Sequence, residues 1–106
     1  MKDLVKKWET EAGLTAWIYL VKNSHHCGYV EVPDGIDVED DLFDVHGGVT
    51  YAGTASFCDG NYVLGYDCAH AGDVCFGYHY EGDVWRDEAF CIEQCEKLAK
   101  QIADMM

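Results

Sequence analysis

The chain has 106 residues, a net charge of −13 and 49% hydrophobic residues. That length fits a single domain over residues 1–106 with one core, and the apolar content excludes a disordered chain. The acid excess disfavours direct binding to nucleic acid, whose phosphates need cations, and favours a basic protein surface or a metal ion as partner.

The charge is unevenly spread. Residues 1–33 balance at zero and residues 89–106 contribute −1, whereas residues 34–88 hold thirteen acids against one cation, Arg86. The first residues, Met1-Lys2-Asp3-Leu4-Val5-Lys6-Lys7, are too charged for a signal peptide. No stretch reaches the roughly 18 apolar residues of a membrane span. A cytoplasmic protein with no membrane contact and reduced cysteines is therefore expected.

In chain order, Asp3 to Ala12 is predicted as a short amphipathic helix, with Leu4, Val5, Trp8 and Ala12 on one face and Gly13 as its stop. Thr15 to Val21 and Cys27 to Val32 are β-branched and aromatic, and read as two strands of a hairpin turning at Asn23-Ser24-His25-His26. Asp34 to Asp44 is an acidic loop, containing Asp34, Asp37, Glu39, Asp40, Asp41 and Asp44, and short of aromatic anchors. Val45 to Ala52 reads as a strand with a glycine pair inside it. Cys58-Asp59-Gly60-Asn61 is a turn, and Tyr62 to Tyr66 is the next strand. Val74, Phe76, Tyr78 and Tyr80 alternate as in a further strand. Asp87 can cap a last helix running to about Met105, in which Cys91, Cys95, Leu98 and Ile102 keep helical spacing. The expected class is α+β: an antiparallel sheet of four to five short strands with an N-terminal and a longer C-terminal helix packed on it.

Two glycine-flanked runs hold the candidate site. In Val45-His46-Gly47-Gly48-Val49-Thr50-Tyr51, the glycines let a ligand approach the backbone and His46 offers a proton shuttle or metal ligand. The bland reading is a β-bulge with His46 bonded inside the fold. Tyr51 would line the same cleft or be core with its hydroxyl at the rim, and the core reading is favoured. In Gly65-Tyr66-Asp67-Cys68-Ala69-His70-Ala71-Gly72-Asp73, Asp67 can orient His70 and Asp73 can add a second carboxylate. Equally, both aspartates could brace the loop through backbone amides.

If His46, Asp67 and His70 converge, the set suits a divalent metal such as zinc, manganese or iron, and metal-assisted hydrolysis of a phosphoester. The spacing matches no named metal motif, and no P-loop, dinucleotide fingerprint or HExxH is present. Cys91 and Cys95, one turn apart, would chelate zinc with Cys68 or Cys75, but their place on an apolar stripe favours core. Cys68 beside His70 allows a reactive thiol, or a small residue at a tight turn.

The run Cys27-Gly28-Tyr29-Val30 and the two glycine-flanked runs, followed by a charged C-terminal helix, resemble a group of small bacteriophage and prophage proteins over about residues 13–102. The resemblance implies a phage origin and assigns no catalytic residue. Two functions follow. One is a phage accessory protein in the host cytoplasm that inhibits a host defence component, for instance of CRISPR type. It would present Asp37, Glu39, Asp40, Asp41 and Asp44 to a basic host-protein surface in place of phosphate charge. The other is a metal-dependent hydrolase or nucleotide-signal binder using His46, Asp67 and His70, with Gly47, Gly48, Tyr51 and Asp73 lining the ligand. The aromatic content also leaves room for a homodimer patch.

Overall fold

Five strands carry the fold. In the computed structural model, which describes residues 2–21, 24–38, 43–69, 72–74, 82 and 84–106, they are β1 (Lys2–Glu9), β2 (Thr15–Val21), β3 (His26–Glu31), β4 (Tyr51–Thr54) and β5 (Tyr62–Asp67). They form one antiparallel sheet in the order β1-β2-β3-β5-β4. One α-helix, α1 (Glu88–Ala103), packs on one face against β2 and β3.

Both faces of the sheet are covered, which is why β2, β3 and β5 read as nearly continuous apolar runs. On the helix side, Ala16, Ile18, Val30, Leu64 and Tyr66 meet Cys91, Cys95, Leu98, Ala99 and Ile102. Burying a side chain such as Leu98 or Ile102 contributes roughly 1.5–3 kcal/mol. On the other side, Trp17, Tyr19, Cys27, Tyr29 and Val63 are closed over by residues 55–58, which include a single 3-10 turn at Ser56–Cys58. Two cross-strand pairs make this thickness fit: Tyr66 lies over Gly28 on the helix side, and Tyr29 lies over Gly65 on the other. A Cβ at either glycine would strike the facing ring.

The N-terminal helix expected over Asp3–Ala12 does not form; those residues are the edge strand β1 and the turn after it, and α1 is the only α-helix among the described residues. The reason is a β-bulge between Leu4 and Lys6. The extra residue lets Val5 and Trp8, three apart, both pack on the helix-side core, a spacing that imitates a helical face. The Trp8 indole then donates to Glu96 of α1 at 2.8 Å.

The strand expected over Val45–Ala52 begins only at Tyr51. Gly47 and Gly48 have φ of 71° and 79°, and Gly48 N–H donates to the Val45 carbonyl, so the pair makes a turn where a strand was expected. The strand expected through Phe76, Tyr78 and Tyr80 lies outside the described residues; beside it, Asp73 and Val84 form an isolated parallel bridge. The last helix starts as expected, with the Asp87 carboxylate accepting from Phe90 N–H at 2.9 Å and Glu88 in the first turn. Among the described residues no helix is long and apolar enough to cross a membrane.

Candidate functional site

The turn at residues 45–48 projects His46 toward Asp73. His46 Nε2 lies 2.8 and 3.0 Å from the two carboxylate oxygens of Asp73, and Arg86 Nε donates to Asp73 Oδ1 at 2.8 Å. The Asp73 side chain is 0% exposed, against 19% for His46 and 26% for Arg86. A buried carboxylate is stable only when paired, and here two cationic or proton-donating groups meet it from the surface side. Phe90 of α1 supports both: its ring lies edge-on to His46 at 5.0 Å and beneath the Arg86 guanidinium at 4.8 Å.

Backbone bonds extend the cluster. His46 N–H donates to Gln94 Oε1 at 2.9 Å. His26 Nδ1 bonds the Arg86 carbonyl at 2.9 Å, and its ring lies 5.4 Å from Trp85. Val84 N–H donates to the Gly72 carbonyl, and Val74 N–H to the Val84 carbonyl. The cluster thus ties four chain segments together. Chemically it holds an imidazole oriented by a buried carboxylate, next to a guanidinium.

The sequence-derived set is only partly assembled. Asp67 lies in register with Cys27 and shares its face with Val63, the face away from α1, whereas His46 packs against α1. Asp67 accepts from Ala69 N–H at 3.2 Å and from the Thr50 hydroxyl at 3.3 Å, which braces the loop. His70 lies outside the described residues. Tyr51 is half-buried among aromatic rings, and its hydroxyl donates to the Thr54 carbonyl. Gly47 and Gly48 line the His46 turn. Asp73 serves as the buried partner of His46 and Arg86. Arg86 went unassigned by sequence reasoning; its isolation as the one cation among thirteen acids was the available signal.

Among the described residues, no three His, Cys, Asp or Glu side chains gather as a metal site. The His46–Asp73 pair does not fit a divalent ion, because Arg86 already lies against the carboxylate. The five described cysteines belong to the core. Cys68 and Cys91 sulfurs are 3.7 Å apart, and the Tyr66 hydroxyl donates to the Cys91 carbonyl at 2.9 Å. Burial pushes the Cys27 thiol up to about 11 and Cys58 and Cys95 to about 12. Cys68 is also raised, by its hydrogen bond to Cys91 and by burial, and it is closed off from solvent. Cys75 lies outside the described residues.

The acidic loop shows a second pattern. Ile36 and Val38 pack on the helix-side core, and Asp37 between them is exposed. Phe43 and Val45 are buried, and Asp44 between them is exposed. Phe43 is thus an aromatic anchor of this loop, contrary to the expectation that it is short of them. The Asp44 backbone is clamped by Gln101, through bonds of 2.8 Å at both its N–H and carbonyl, and its carboxylate pairs with Lys97 at 2.9 Å. Asp34 and Asp37 border a groove of about 330 Å³ with Pro33, Ile36, Val38 and the exposed Tyr62. Glu39, Asp40 and Asp41 lie outside the described residues.

No protein-family model, no curated protein and no solved structure matches this chain.

Proposed function

We propose that this chain is a phage accessory protein that binds a basic surface on a host protein and inhibits it, a defence component of CRISPR type being the kind of target meant. The observation that carries the reading is the anchored acidic loop. Ile36, Val38, Phe43 and Val45 are held against the core while Asp34, Asp37 and Asp44 face solvent. Carboxylates fixed at set positions complement a cationic groove at a lower ordering cost than mobile ones. The neighbouring groove, with Tyr62 at its edge, offers room for a partner's side chain.

The runner-up, hydrolysis or ligand binding by His46, Asp67 and His70, gains less support. His46 and Asp67 belong to different sides of the sheet, and Asp73 is committed to Arg86.

Phage plating on a host with an active defence system tests the proposal. Expressing the chain should raise plating by at least about tenfold. The double variant Asp34→Lys/Asp37→Lys should lose the effect, and His46→Ala, if folded, should keep it. Protection unchanged by the charge reversal would refute an acidic-surface mechanism.

A further inference from the structure

On the sheet face away from α1, three aromatic rings surround a lysine. Lys2 Nζ lies 3.4 Å from the centroid of Phe57, 4.8 Å from that of Tyr29 and 5.3 Å from that of Tyr19. It also donates to the Tyr29 hydroxyl at 3.0 Å. Ring faces carry negative potential, so several of them around one ammonium replace its hydration with fixed attraction.

The rings are positioned largely without the lysine. Phe57 meets Tyr29 and Tyr19 edge-on at 4.9 and 5.5 Å, and Tyr51 meets Tyr29 edge-on at 5.9 Å. The Tyr19 hydroxyl donates to the Phe57 carbonyl, and the Tyr51 hydroxyl to that of Thr54. Tyr29 lies over Gly65, where any Cβ would displace it. Lys2 comes from the margin of the sheet instead. It sits at the end of edge strand β1, in the terminal pair with Val21, where strands open most easily. The acidity of the whole molecule draws cations toward its surface.

From this geometry we propose that the Tyr19–Tyr29–Phe57 cluster, backed by Tyr51, is a binding site for alkylammonium groups, closed in the resting protein by Lys2. A ligand of this class enters when the first residues of β1 lift away. Quaternary ammonium fits best, because methylation removes the hydration that a primary ammonium must shed. The group can come from a free small cation or from a methylated lysine of a partner chain. The site is independent of the acidic loop, which packs on the opposite side of the sheet.

Proton NMR tests this with tetramethylammonium and with the amide of N-acetyl-trimethyllysine. In the wild type, the ε-methylene protons of Lys2 should be shifted upfield by the rings, and excess tetramethylammonium should return them downfield. Lys2→Ala should bind tetramethylammonium at least about tenfold more tightly than the wild type, with upfield-shifted ligand methyl signals. Phe57→Leu should abolish those shifts. Tighter binding of the trimethyllysine amide assigns the site to a partner's side chain, and equal binding to a free cation. The proposal is overturned if folded Lys2→Ala gives no methyl shift. Should that variant not fold, a wild-type Lys2 signal that excess tetramethylammonium leaves in place overturns it equally.

Discussion

Asp73 sits fully buried between a histidine and an arginine, and the cost of removing it follows from that position. His46 and Arg86 both reach solvent, so water can recover part of what they lose. Asp73→Ala should therefore destabilise the fold by about 1–3 kcal/mol, in the range of hydrogen bonds to charged groups, and Asp73→Asn by less. Urea unfolding would show this; an unchanged midpoint for Asp73→Ala would mean that the clasp contributes nothing to stability. Asp73 is visible in the sequence as a carboxylate beside a glycine. Its partners are not, because His46 lies 27 residues before it and Arg86 13 residues after. Pairing over such separations is set by the path of the whole chain. The rings around Lys2 were hidden for the same reason, since they come from β2, β3 and the 3-10 turn.

At the scale of elements, α1 was legible because one period of apolar residues, a cap and an acidic first turn all agree. β1 was misread because a bulge breaks the alternation that marks a strand, and Val5 and Trp8 then mimic a helix. The strands β2, β3 and β5 were legible as strands, but not that both their faces are buried. The glycines at the sheet centre follow from that burial. Gly28→Ala would drive a methyl into the ring of Tyr66, whose hydroxyl is fixed on Cys91. A loss of about 1–3 kcal/mol is expected, as for overpacked cores, read from the denaturation midpoint against wild type. A neutral result would show that the Tyr66 ring can move.

Across the whole molecule, two properties are set by sums over many residues. The first is alkaline sensitivity. An unfolded thiol titrates near 9.0, while burial holds Cys27 at about 11 and Cys58 and Cys95 at about 12. Above pH 9.0 the unfolded chain gives up these protons while the folded one keeps them. The stabilising contribution is therefore whole below that pH and is lost as pH rises through 11 to 12. A thermal midpoint lower at about pH 10.5 than at about pH 8 is expected, and equal midpoints would contradict the burial of these thiols. The second property is the charge of −13, concentrated in the middle of the chain, of which Asp34, Asp37 and Asp44 are exposed beside the pinned Ile36, Val38, Phe43 and Val45. The acidity was plain in the sequence; the pinning was not, since it depends on where Phe43 and Val45 reach the core.

Affinity capture from host lysate, repeated from roughly 0.05 to 0.5 M salt, tests the acidic-surface reading most directly. Wild type and His46→Ala should retain the same basic protein at low salt and release it as salt rises, and Asp34→Lys/Asp37→Lys should retain none of it. Equal retention by the charge-reversed variant, or retention lost only with His46→Ala, would contradict the acidic loop as the working surface.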